Sequence, residues 1–254
     1  MLAVSAALPV TDSHRPPIVL VHGAANSATV WTCWLPELAR QGWPAYAVDL
    51  RGHGKSDSID LSRTGMADYA ADVGTLVGQL GRRPVLVGWS MGGLVAMMVA
   101  ATGVAKACVA LAPSRPSREI DPSAPLRTGE FGPEEYGVTS RDPDEQGRPM
   151  PDLDREERII ALASLGRESR LARDERRRGI VVTELPCPLL LVTGALDRQW
   201  PRERYDDLWL PAGRLDVEGT SHWGLVLNRR ALVQTIPAVL QWLDDAYGTS
   251  SPPS

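Results

Sequence analysis

A doubly wound, mostly parallel α/β sheet carrying a charged cap insertion is the fold the sequence predicts, and three observations predict it. Short β-branched apolar runs alternate with longer stretches of helical period, the order that builds strand–helix–strand units. The apolar runs are continuous rather than alternating, as in strands covered by helices on both faces. The chain has 254 residues, 43% hydrophobic and 23% charged, enough to bury one large core but too few for two full domains.

The opening residues 1–10 are apolar and short, with no basic side chain before them. They read as an N-terminal extension or edge strand rather than a signal peptide. Strands are expected at Pro17–Val21, Ala45–Asp49, Pro84–Gly88 and Ala107–Ala112. Between them, Trp34–Gln41, Met66–Gly81 and Met91–Ala101 space their apolar residues as helices do. The pattern resumes with a strand at Pro188–Thr193, a helix from about Pro201, a short strand at Arg214–Val217 and a closing helix near Leu225–Asp245. Residues Gly248 to Ser254 read as a disordered tail.

The middle differs. From Arg115 to Arg178 there are 13 Arg, 6 Asp and 9 Glu, about twice the charge density of the whole chain. Seven prolines from Pro116 to Pro151 forbid one long helix in its first half. Its second half, Asp152–Arg178, sets Ile159, Ile160, Leu162, Leu165 and Leu171 among charges, as one or two amphipathic helices would. A disordered linker would share this composition, but the position between two strands of one sheet favours a cap over the site. Residues 1–113 and 187–254 are therefore assigned to the core and 114–186 to the cap. Acidic and basic groups nearly cancel in the insertion, so its arginines (Arg115, Arg118, Arg127 and others) read as solvated surface, although they could attract an anionic or carrier-bound acyl group.

Composition excludes several functions. With 27 basic and 31 acidic residues the formal charge is −4, which speaks against a nucleic-acid binder. No apolar run approaches the ~20 residues of a membrane helix. Cys33, Cys108 and Cys187 are far apart and share no ligand spacing, so they read as reduced, mostly buried thiols of a cytoplasmic protein. The four histidines do not pair at helical spacing, and no metal site is expected. Nothing in the sequence indicates an oligomeric state.

The chemistry centres on Gly88-Trp-Ser-Met-Gly92-Gly93, after a buried strand and before a helix. A strand turning abruptly into a helix strains its apex residue and leaves no room for side chains two positions either side. Ser90 is thereby raised at the sheet edge, facing the positive end of the helix that follows. A serine hydroxyl needs a base, and the base an acid to orient it. Asp197 follows the strand ending at Thr193, and His222 follows the last short strand, so both reach the same sheet edge. Asp216, Glu218, Glu119 and Asp121 are the other candidates for the acid. His22 and His53 read as buried loop histidines bonding to loop carbonyls, and His14 as a solvated one.

The order Ser…Asp…His, the glycine-flanked turn, His22-Gly23 after the first buried strand, Trp31, and Asp49-Leu-Arg-Gly-His-Gly-Lys-Ser56 together resemble the α/β-hydrolase superfamily over Pro17–Asp245. The Gly-Trp-Ser-Met-Gly-Gly-Leu-Val-Ala run looks like small esterases such as the pimeloyl-carrier methyl esterases and the cofactor-free haloperoxidase-like esterases. The resemblance implies an oxyanion site built from the backbone amides of Ala24 and Met91. Trp89, Trp223, Trp31 and Trp200 are candidates to line an apolar substrate pocket, tryptophan filling the sheet–helix layer being the alternative.

The expected function is a serine hydrolase cleaving a carboxylic ester or thioester of a small-molecule or carrier-bound acyl substrate, with no cofactor. A lyase of the same fold, eliminating a group such as acetate from a bacterial secondary metabolite, would use the same parts. So would a catalytically idle ligand sensor, although idle relatives of such enzymes usually lose a triad member.

Overall fold

The computed structural model describes residues 1–248. The chain opens with β1 (Val4–Ala7), an exposed strand, and β2 (Ile18–Val21), a fully buried one. Then α1 (Trp34–Arg40) leads to β3 (Ala45–Val48), α2 (Met66–Gln79) to β4 (Val85–Trp89), and α3 (Met91–Ala100) to β5 (Ala107–Leu111). The insertion carries β6 (Glu130–Phe131), α4 (Arg155–Ser164), β7 (Glu168–Ser169) and α5 (Arg170–Arg178). Next come β8 (Leu189–Gly194), β9 (Gly213–Val217), α6 (Gly224–Leu227) and α7 (Arg229–Gly248).

Seven strands form one sheet in the order β1-β3-β2-β4-β5-β8-β9. Only β1 runs antiparallel, zipped to β3 from Val4↔Val48 to Ala7↔Ala45. The continuous apolar runs follow from burial on both faces. Along β2, Ile18 and Leu20 join one core layer with Trp34, Leu38 and Ile236, while Val19 and Val21 join the other with Tyr69, Leu94 and Met97. Thus α1 and α7 cover one face, and α2 and α3 the other. Strand order reverses direction between β2 and β4, and the carboxyl ends flanking that point form the crevice where such sheets bind ligands.

Two expectations need correction. The helix expected from Pro201 is a single 3-10 turn, Arg202–Tyr205, ending where the Tyr205 carbonyl is taken by the Leu208 amide and by the Arg214 guanidinium instead of by a further helical turn. The closing helix is two helices. Asn228 breaks it with ψ of 96°, and its Oδ1 then caps α7 by accepting from the amides of Arg230 and Ala231 at 3.1 and 3.2 Å. Gly248 ends α7, and the tail expected beyond it, residues 249–254, lies outside the described residues.

Segment 114–186 is not simply solvated. Glu157, Glu168 and Asp174 in it are almost fully buried, each engaged by hydrogen bonds. Asp154 and Glu157 close a capping box on α4, with reciprocal bonds of 2.9 Å. Glu157 also accepts from the Arg229 amide at 2.8 Å, tying the insertion to the start of α7. Arg127 forks onto Asp174 at 2.8 Å through both Nε and Nη2, a bidentate geometry. Among the described residues no helix is long and apolar enough to cross a membrane. Cys33, Cys108 and Cys187 are free, the first and last of them only half-buried.

Candidate active site

Ser90 sits where β4 turns into α3, with φ of 57° and ψ of −120°, a conformation that costs a non-glycine residue about 1–3 kcal/mol. The flanking glycines make this turn possible. A Cβ on Gly92 would collide with the carbonyl oxygens of Val21 and His22, and one on Gly88 with the Gly92 carbonyl. Those obstacles are backbone and cannot swing aside. The turn is braced by β5: the Ser90 amide donates to Leu111 O at 2.9 Å, and the Ser114 amide to Ser90 O at 2.9 Å.

Asp197 follows β8 in a tight turn. Its amide donates to Gly194 O at 2.9 Å, and its Oδ1 accepts from the amides of Gln199 and Trp200, each at 2.9 Å. The other oxygen, Oδ2, lies 2.6 Å from His222 Nδ1. Burial of Asp197 would raise its pKa, but the imidazole and the two amides outweigh it and the net shift is downward. His222 lies in the loop after β9, and the Trp89 indole donates to its carbonyl at 3.0 Å. Ser90 and His222 line the same cavity. No hydrogen bond joins them in this arrangement; such contacts often form only when substrate is in place.

The amides of Ala24 and Met91 have no acceptor among the described residues. Met91 is the first residue of α3, where an amide has no intrahelical partner. Ala24 lines the cavity, and its neighbour Ala25 is held at φ of 56° while its amide donates to Glu168 Oε2 at 3.0 Å.

The cavity has a volume of about 440 Å³. Trp89, Trp200 and Trp223 line it; Trp31 does not. That last expectation is corrected, since Trp31 is fully buried and packs edge-on against Trp34 with ring centroids 5.7 Å apart. The other candidate acids lie elsewhere. Asp216 is engaged by Thr193 and by Arg202 at 2.8 Å. Asp121 accepts from the Ser123 amide at 2.9 Å at the surface, and neither Glu119 nor Glu218 lines the cavity. His14 is exposed.

His22 and His53 form a buried pair, ring centroids 5.2 Å apart. His22 Nδ1 donates to Gly23 O at 2.8 Å, and Nε2 accepts from the Leu50 amide at 3.1 Å, which requires a neutral ring. Burial, reinforced by His53, lowers its pKa to about 4. His53 loses basicity to burial but regains more from Glu168, 3.6 Å away, so its pKa is raised. Glu168 is fully buried, and burial opposes its charge. His53, Arg176 and the Tyr69 hydroxyl, which donates at 2.6 Å, nevertheless bring it down to about 2.

The two histidines tilt stability against pH in opposite directions. A histidine depressed on folding contributes fully above the unfolded pKa of about 6.5 and loses that contribution as pH falls towards about 4. His22 is expected to cost up to about 3 kcal/mol over that window. The contribution of His53 is fully present below about 6.5 and fades as pH rises through its raised pKa. Urea unfolding between pH 4 and 6.5 checks this: the wild type loses stability on acidification, and His22→Asn shows a flatter slope.

Sequence reasoning missed Glu168, Asp152, Ser114, Tyr136 and Arg176. Asp152 Oδ2 accepts from the Ser221 amide at 3.0 Å, next to His222, as Glu168 does next to Ala24. Both come from the charged insertion, where nothing in the local pattern separates a buried carboxylate from a solvated one. The nearest signal is Glu168-Ser169 standing just before a helix, with Ser169 as its cap.

A parallel sheet with a serine at a strained strand-to-helix turn, and an Asp–His pair at the same edge, defines the α/β-hydrolase class. The chain belongs to the alpha/beta hydrolase family, whose model matches residues 18–235, and it is an enzyme of that superfamily. It is 27% identical over 259 residues to the pimeloyl-[acyl-carrier protein] methyl ester esterase of Klebsiella pneumoniae, covering 87% of this chain and 92% of the relative. The relative from Pectobacterium carotovorum with the same activity is 30% identical over 187 residues, 71% of this chain and 65% of that one. Among solved structures, a thermophilic esterase from Thermogutta terrifontis superposes with a TM-score of 0.71 at 21% identity, over 96% of this chain and 93% of the other.

Proposed function

We propose that the chain is a serine esterase that cleaves a carboxylic ester or thioester, on a small-molecule or carrier-bound acyl substrate, through a covalent acyl-enzyme. The observation that carries the reading is the 2.6 Å contact between Asp197 and His222, with the imidazole on the same cavity wall as the strained Ser90. Relatives named as methyl ester esterases of a carrier-bound acid support both the ester and the carrier.

In this reading Nδ1–H of His222 is held by Asp197, leaving Nε2 free to accept the Ser90 proton as Oγ attacks the carbonyl carbon. The negative oxygen so formed is held by the amides of Ala24 and Met91, fixed in advance by the turn after β2 and by the start of α3. Collapse expels the alcohol or thiol, which takes the proton back from His222. Water, deprotonated by the same imidazole, then releases the acid. Trp89, Trp200 and Trp223 supply the apolar wall, and segment 114–186 acts as the cap. The chemistry calls for no cofactor.

Turnover of a methyl ester in ¹⁸O-water tests the reading. Hydrolysis puts one solvent oxygen into the released acid, and Ser90→Ala releases none. A product lacking solvent oxygen would instead indicate elimination and overturn it.

A further inference from the structure

Besides the tryptophans, the cavity lining is rich in basic residues. Arg115, Arg173, Arg176, Arg177 and Arg204 belong to it, with Glu135 as its one carboxylate among the described residues. Most of these charges are spoken for. Arg115 pairs with Asp207 at 2.7 Å, Arg173 with Glu135, and Arg204 lies over the Trp200 ring at 5.1 Å from its centroid. Arg177 is largely exposed and 4.0 Å from Asp174.

Arg176 is different. Projecting from α5 into the cavity wall, it meets only neutral oxygens. Nε donates to Ala172 O at 3.3 Å, Nη1 to Ser114 Oγ at 3.4 Å and Nη2 to Tyr136 Oη at 3.1 Å. Among the described residues no carboxylate comes within 4.0 Å of it. Glu168, a buried acid that acts on Arg176 electrostatically, spends its oxygens on the Ala25 amide, the Tyr69 hydroxyl and the Ser169 amide, and faces His53. The Arg176 side chain is half-buried and interacts with Glu168 only through space. A partly desolvated guanidinium with no directly bonded anion is costly. A long bond to a hydroxyl and an ordinary one to a phenol, both neutral, offset only part of that cost, and its donor fork has capacity to spare.

Its position relative to the proposed nucleophile is close. Ser114, whose hydroxyl accepts from Arg176, donates its own amide to the Ser90 carbonyl at 2.9 Å. A substrate with its scissile carbonyl at Ser90 would bring a group only a few bonds away to the guanidinium.

We infer that Arg176 is an anion-recognising residue, and that the substrate is an ester carrying a carboxylate or phosphate-type group a few bonds from the carbonyl that is cleaved. The inference rests on the esterase reading for where the ester lies, but the anion site itself does not depend on turnover. Carboxylate and phosphate oxygens both match the planar fork of arginine, and Tyr136 and Ser114 stand beside it to donate further hydrogen bonds.

The test compares three methyl esters of similar size: monomethyl glutarate, methyl 4-carbamoylbutanoate as its neutral isostere, and methyl 3-phosphonopropanoate. The wild type is expected to favour an anionic ester over the neutral one by about ten- to hundredfold in kcat/KM, the weight of a charge-assisted bond. Arg176→Gln is expected to bring that ratio to about one, and Arg176→Lys to retain part of it. Which anionic ester is faster identifies the group. Should the variants fail to fold, competitive inhibition of the wild type by glutarate but not by glutaramide gives the same answer, and equal inhibition by both overturns the inference. Equal rates on charged and neutral esters would also overturn it while leaving the esterase reading standing. Turnover of none of them, with monomethyl glutarate still binding calorimetrically to wild type and Ser90→Ala, would keep the anion site and count against hydrolysis of short free methyl esters. Absence of both turnover and binding would overturn the anion inference.

Discussion

Ser90→Ala is expected to fold as the wild type does and to lose ester hydrolysis by about 10,000-fold or more, the scale seen when a triad nucleophile is removed. The side chain is half-buried and makes no hydrogen bond that holds the fold together. Ser90→Gly separates the chemistry from the strain. Glycine adopts the φ of 57° at this turn without penalty, so this variant is expected to be as inactive as the alanine one yet more stable, by about 1 kcal/mol. Steady-state rates on a methyl ester, with thermal melts of both variants, check the two halves separately. An inactive but destabilised Ser90→Gly would show that the backbone at the turn is not under strain.

The second large effect is expected at Glu168. Its oxygens accept from the Ala25 amide, the Tyr69 hydroxyl and the Ser169 amide at 3.0, 2.6 and 2.7 Å, and it faces His53. Glu168→Ala leaves three buried donors and the imidazole uncompensated, which costs about 3–5 kcal/mol. At this chain length that lowers the melting temperature by roughly 10 °C. Activity falls as well, because Ala25 adjoins the proposed oxyanion amide of Ala24. A loss of about 10- to 100-fold in kcat is expected, less than for removing such a donor outright. The KM-against-kcat split is the check: a residue that only stabilises the insertion would leave kcat intact at a temperature where the variant is folded.

How legible the molecule is in its sequence depends on where information is local. The glycine-flanked Ser90 turn, the buried parallel strands and the residues following β8 and β9 are legible because each is dictated by its immediate neighbours. Gly88 and Gly92 are where backbone meets backbone, and Asp197 and His222 follow the ends of strands whose order the apolar runs declare. Trp31 misled because an indole near a pocket and one in the core look alike in sequence, and only the packing of α1 beneath it decides. The helix expected at Pro201 stops at Tyr205, whose carbonyl is taken by the Arg214 guanidinium, a contact from β9 that the local sequence does not announce. What stayed hidden lies in the insertion. Glu168, Asp152 and Arg176 are three charges among twenty-eight between Arg115 and Arg178, and tertiary contact alone selects them. Asp152 and Glu168 reach from the insertion to the amides beside His222 and Ala24. The part of the chain that reads as most solvated thus holds the loops on which the chemistry is proposed to depend.

The central claim is that Ser90 is activated by His222 and Asp197. Fluorophosphonate labelling followed by peptide mass spectrometry tests it most directly. The account predicts a single phosphonyl adduct, on Ser90, that is absent from Ser90→Ala and forms far more slowly in His222→Gln. An adduct on another residue, or ester turnover by a protein whose Ser90 never labels, would contradict it.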